Sequence, residues 1–143
     1  MNNKGFTLIE LLGVIALLGI VSVIAIPSVV GITNLIKRNM LEKKAEIIEE
    51  AAIMLGQDMK GSIISSDKLY KNTYPCRSIP VSYLYPEYLD KDNDNECSKD
   101  GSSSCIVDPS NESKFLDSKE IIIYYKNKRI LAVMDLDDTL SCS

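Results

Sequence analysis

The sequence predicts an α+β protein in which one long N-terminal helix, apolar in its first half and amphipathic in its second, packs on a small antiparallel β-sheet. Three observations predict it. Residues 11–36 run for 26 positions without a charge. Between residues 41 and 59 apolar side chains recur at alternating spacings of four and three, the repeat of a helix with one buried stripe. Near the C-terminus, two β-rich runs flank a two-residue turn.

The uncharged run comes first. A helix rises ~1.5 Å per residue, so ~20 of these residues cross a hydrocarbon layer of ~30 Å. A membrane-spanning helix over residues 6–36 is therefore expected, with 107 residues beyond it. The whole chain, 143 residues long, has room for one domain plus an attachment segment. All 16 basic residues but Lys4 lie at Lys37 or later, where 15 Lys and Arg face 19 Asp and Glu. That balance argues against a nucleic-acid phosphate backbone as the main partner, and no direct nucleic-acid contact is expected.

The amphipathic half follows. Leu41, Ala45, Ile48, Ala52, Leu55 and Met59 form one stripe, with Glu42, Lys43, Glu46, Glu49 and Glu50 around it. Pro27, Gly31 and Gly56 interrupt residues 6–60 without ending the pattern, so the two halves read as one helix whose second half lies on a sheet; a coiled coil is the competing explanation of the stripe. Residues 61–118 are loop-rich and hold Pro75, Pro80, Pro86 and Pro109, with a short helical turn expected from Ser82 through Leu84, Tyr88 and Leu89. The hairpin joins residues 120–126 and 129–135 through Asn127 and Lys128, with Ile121, Ile123 and Tyr125 on one face and Ile130, Ala132 and Met134 alternating likewise. A hairpin alone is marginal, but against an amphipathic helix it makes a small head. No third strand can be placed from the sequence.

Cys76, Cys97, Cys105 and Cys142 contain no C-x-x-C pair, and the chain has no histidine, so the usual zinc spacings are missing. An even count in a small domain beyond a membrane segment points to two disulfides and an oxidising exterior. Three connectivities are possible. Cys97 and Cys105 share a polar Gly/Ser-rich loop and can close locally, which would leave Cys76 for Cys142.

The start of the chain departs from an ordinary secretory signal, whose apolar stretch is about 7 to 15 residues and is followed by a small-residue cut. Here the apolar run is longer, Glu10 interrupts its beginning, and the well-placed small residue, Gly5, precedes it. Gly5, Phe6, Thr7, Leu8, Ile9, Glu10 and the apolar run to Pro27 resemble the N-terminus of type IV prepilins and pseudopilins over residues 4–36. The resemblance implies removal of residues 1–5 by a prepilin peptidase, methylation of the new amino terminus on Phe6, and polymerisation through the N-terminal helix, with residues 37–143 as a disulfide-bonded head. It gives Glu10 the place of the assembly carboxylate and Pro27 that of the helix-bending proline. Implied partners are further copies or sibling pilins, the peptidase, an inner-membrane assembly platform and the membrane itself.

The residues agree with that role for Glu10. Phe6 and Glu10 are four apart, on one helix face, and a cut after Gly5 creates an α-amino group with a reference pKa of about 7.7 to 8. A neighbouring copy's amine can then pair with the carboxylate. Otherwise Glu10 merely favours the positive end of its own helix, worth about 0.5 kcal/mol. Pro27 lacks an N–H and clashes with the preceding turn, which bends or locally opens a helix.

Flanking charges favour the other orientation, since Lys4 stands against Lys37, Arg38, Lys43 and Lys44; the cysteines and the resemblance put the C-terminal head outside. The expected function is a structural subunit of a type IV pilus or related pseudopilus, in the cytoplasmic membrane first and extracellular afterwards. The alternatives are a secretion or competence pseudopilin and a non-polymerising anchored extracellular domain.

Two further motifs have a chemical reading. Asp135, Asp137 and Thr139 match D-x-D-x-T and resemble the nucleophile motif of haloacid-dehalogenase phosphatases. That chemistry needs a large α/β domain after the motif, and four residues follow Thr139; no enzyme is expected, and the acids read as a strand end turning into solvent. Asp90, Asp92 and Asp94 have the 1, 3, 5 spacing of a calcium loop, but Asn95 stands where the template needs Gly and Gly101 where it needs Glu. No cofactor is therefore favoured, with calcium the one candidate.

Overall fold

The computed structural model describes residues 6–143, the side chains of residues 24–30 excepted. It divides into two compact units, Met1–Arg38 and Asn39–Ser143. Helix α1 (Leu8–Asp58) begins in the first and ends in the second, and a short α2 (Lys60–Ile64) follows after Met59. The start falls two residues later than expected because Thr7 caps it, as described below. Residues 61–64, expected in loop, are helical.

Within the second unit α1 meets a four-stranded antiparallel sheet of order β1-β2-β3-β4, built from β1 (Leu69–Tyr70), β2 (Tyr74–Pro80), β3 (Glu120–Lys126) and β4 (Arg129–Met134). Ala45, Ile48, Ala52 and Leu55 are buried against Ile121, Ile123, Ile130 and Met134, while Leu41 and Met59 at the ends of the stripe are partly buried. Glu49 accepts the backbone N–H of Met134 at 2.8 Å, tying the helix to the edge strand. The stripe therefore lies on a sheet and is no coiled-coil seam.

Gly56 is not the weak point it looks like in the sequence. A Cβ built there would stand 2.6 Å from Cγ2 of both Ile123 and Ile130, so the missing side chain lets the helix approach the sheet.

The hairpin forms over the expected strands. Lys126 pairs with Arg129, and Asn127 and Lys128 have φ of 50° and 65°, the paired left-handed conformations of a tight hairpin turn. The strand absent from the sequence prediction is β2, which pairs with β3 from Cys76↔Tyr124 to Pro80↔Glu120. Its prolines explain why it looks like loop. Pro75 precedes the β3 pairing and Pro80 ends it, positions where a missing N–H breaks no central ladder bond.

The sheet is covered on both faces. Ile121, Ile122 and Ile123 are all buried, whereas strict alternation would bury two of the three. Ile122 packs with Tyr70, Cys76 and Cys142 on the face away from α1. The C-terminal segment reaches that face by an isolated bridge, Tyr70↔Cys142, and by a hydrogen bond from Leu69 N–H to the Ser143 carbonyl at 2.9 Å. The Cys76–Cys142 disulfide closes it. The helical turn expected at Ser82 is a 3-10 helix one residue earlier, Val81–Leu84, with Val81, Ser82 and Leu84 buried.

Candidate functional site

The start of α1 is built by Thr7 and Glu10. Thr7 sits just before the first helical residue, and Glu10 is the third residue inside, the spacing at which each side chain reaches the other's backbone. Thr7 donates its N–H (2.8 Å) and its hydroxyl (2.7 Å) to Glu10 Oε2. The Glu10 N–H reaches Thr7 Oγ1 at 3.4 Å. The carboxylate thus satisfies a donor that the helix leaves without an intrahelical partner. The signal was in the sequence as Thr-x-x-Glu, and the expected Phe6 partnership hid it.

Phe6 lies outside the helix and is 84% exposed. Gly5 and residues 1–4 lie outside the described residues, as does Pro27 with its expected bend. The described apolar side chains of the first unit are exposed in the single chain, with Leu8 at 80%, Leu17 at 65% and Val23 at 75%. Among the described residues, no helix is long and apolar enough to cross a membrane; residues 24–30, inside the expected span, are not among them.

In the head, the disulfides join Cys76 to Cys142 and Cys97 to Cys105. The second closes a loop organised by a carboxylate that sequence reasoning passed over. Asp117 is 1% exposed and accepts the backbone N–H of Cys105 and Ile106 and the hydroxyl of Ser103 at 2.8 to 3.0 Å. Nothing local marks it, because its partners lie 11 to 14 residues away. Asp100 accepts from the Ser98 and Ser102 hydroxyls and the Ser102 N–H, and these bonds, those of Ser102 foremost, pull its carboxyl down to about 2.

Asp90, Asp92 and Asp94 do not converge. Asp92 Oδ1 is paired with Lys44 at 2.7 Å and Oδ2 accepts the Val107 N–H at 2.8 Å. Among the described residues, no group of three His, Cys, Asp or Glu side chains has an arrangement that could hold a metal ion. The acids of the D-x-D-x-T stretch also part company, and one of them corrects the expectation of a solvent-facing strand end. Asp135 is 5% exposed and its two oxygens accept the N–H groups of Thr139 (3.0 Å) and Leu140 (2.9 Å). It shapes the turn that sends the chain back toward Cys142. Asp137, the second acid of the motif, is exposed, as is its neighbour Asp138, which pairs with Lys119.

A family model described as "Prokaryotic N-terminal methylation motif" matches residues 1–26. This motif is the class III signal of type IV prepilins and pseudopilins, and it supports a precursor of that type. No curated protein and no solved structure matches the chain.

Proposed function

We propose that this chain is a structural subunit of a type IV pilus or related pseudopilus, cut after Gly5, methylated on Phe6 and polymerised through the first half of α1. The methylation motif over residues 1–26 carries the proposal, and the capped helix start gives it a mechanism. Helical structure begins at Leu8, which leaves Phe6 on a non-helical lead suited to a peptidase. Before assembly, residues 11–36 anchor the precursor in the membrane with the head outside; in the filament the same face packs against other copies.

Magnitudes favour a second environment for this segment. Burying one Val, Leu or Ile side chain contributes about 1.5–3 kcal/mol, so ten half-buried side chains supply on the order of 10 kcal/mol. Against this, a carboxylate in the apolar layer costs about 3 kcal/mol at most by insertion scales, and less near a helix end. The bilayer therefore tolerates Glu10, and its hydrogen bonds from Thr7 lower the cost. A carboxylate offers about four acceptor positions, so holding Thr7 through Oε2 leaves capacity for an ammonium. In a filament that cation is the Phe6 amine of the next copy, which fixes axial register as a buried polar pair can.

Two substitutions separate capping from assembly. Thr7→Ala removes the hydroxyl half of the cap and should cost about 1 kcal/mol of local helix stability with fibres still formed. Glu10→Ala removes the carboxylate half, which accepts the Thr7 N–H and hydroxyl, and with it the assembly carboxylate; processing should continue while fibres are lost. Equal fibre yields from the two variants, measured after shearing from cells, would contradict the assembly role.

A further inference from the structure

We propose that the head carries a second, electrostatic contact to a copy of itself: the cationic tip of the β3–β4 hairpin docks on the acidic loop of residues 90–112 of the next subunit. This rests on the filament function above and adds to it a contact distant from the helix start.

The two charged regions occupy opposite ends of one sheet. At the hairpin end, Lys126 Nζ lies 4.8 Å from the Tyr74 ring centre, Lys60 Nζ 5.6 Å from that of Tyr125 and Lys71 Nζ 5.2 Å from that of Tyr70. These ring contacts hold the cations in place. Lys128 and Arg129 are exposed and, with Gln57 and Lys60, line a cavity of about 470 Å³. At the other end, where Pro80 pairs with Glu120, Gly101 abuts Pro80 and Ser118, and Asp92 is tied to Lys44. The loop between residues 90 and 112 carries seven acidic side chains against two lysines.

Distance keeps the two from cancelling. Lys44, at the acidic end, and Gln57, at the cationic end, are 13 residues apart on α1, which is ~20 Å at ~1.5 Å per residue. That exceeds twice the Debye length of ~8 Å at physiological ionic strength, so each field faces outward. Two complementary, non-overlapping patches on one chain make a heterologous contact, which builds an open filament where the rotation between copies does not close a ring.

The acidic end also has a receptacle. A cavity of about 490 Å³ is lined by Met40, Lys44, Asp92, Val107, Pro109 and Glu112. Asp92 is engaged by Lys44, so Glu112 is the carboxylate that receives an incoming cation, while Met40, Val107 and Pro109 cover its aliphatic stem. Long-chain cations such as Lys128 and Arg129 have that shape. The chain's net charge of −4 and its own acidic patch favour a second copy over an anionic polymer.

The test is a charge exchange in the full chain, in cells that assemble wild-type fibres. Lys128→Glu with Arg129→Glu, and separately Asp94→Lys with Glu112→Lys, should each lower sheared fibre yield about ten-fold. All four substitutions together should restore it to within about two-fold, with both disulfides intact on non-reducing gels throughout. Wild-type fibres should also shorten as salt rises from about 0.05 M to about 1 M, a readout that needs no variant. Unchanged yields, a four-fold variant no better than either pair, or salt-insensitive fibres would overturn the proposal. Loss of double-stranded DNA binding by the hairpin variant with normal fibres would overturn it too, assigning the tip to a nucleic acid. Correctly processed wild-type chain that never forms fibres would instead defeat the filament function itself.

Discussion

The two units of the chain handle apolar residues in opposite ways. In Asn39–Ser143 the stripe of α1, the sheet and the returning C-terminus cover one another, and Ile48, Ala52, Ile121 and Ile122 are all at 0% exposure. In Met1–Arg38 the described Leu, Ile and Val side chains are exposed. The head contains its own core. The N-terminal segment is apolar without one, so its sequence is written for surroundings the single chain does not supply, whether lipid or neighbouring helices. Glu10 fits the same contrast: Thr7 satisfies it locally, and in the proposed filament it gains a charge partner.

If the head is self-sufficient, its staples should matter to stability and not to processing. Cys142→Ser removes the bridge that spans 66 residues, a loss of about 4 kcal/mol by loop entropy. Thermal unfolding of the processed chain in detergent should report it, with cleavage at Gly5 unchanged. A smaller effect comes from the helix–sheet contact. Gly56→Ala gains up to about 1 kcal/mol of helix propensity, but its Cβ meets two β-branched side chains at 2.6 Å. Overpacking costs about 1–3 kcal/mol, so a net loss of about 1 kcal/mol is expected, visible as a lower denaturant midpoint. A stabilised variant would mean that the sheet moves away easily.

The smallest effect concerns pH. Asp100 titrates at about 2 in the folded loop because the Ser102 and Ser98 groups bond its charged form; the unfolded reference is about 3.9. The folded value is the depressed one. Its stabilisation is therefore present above about pH 4 and is lost as pH falls through about 2. Protection of the Ser102 amide against hydrogen exchange, taken relative to an unstructured peptide at the same pH, should be high above pH 4 and should fall toward pH 2. Asp100→Asn should show no such step.

What was legible in the sequence follows the range of the interactions. The α1 stripe, the hairpin and its Asn127-Lys128 turn are set by neighbours a few residues away, and periodicity exposes them. β2 was hidden because its two prolines mark loop unless the register is known. The second face, with Ile122, Tyr70 and Cys142, depends on a C-terminus that returns across the sheet. Asp117 and Asp135 look like ordinary acids until the N–H groups they accept are in place. At the helix start the Thr7–Glu10 box was readable in four residues and was passed over for a longer-range partner.

The central claim, that the N-terminal segment is made for processing and assembly, is tested most directly by N-terminal sequencing and mass analysis of the mature protein. A chain that begins at Phe6 with one added methyl group is predicted. A mature protein that still begins at Met1 would contradict it.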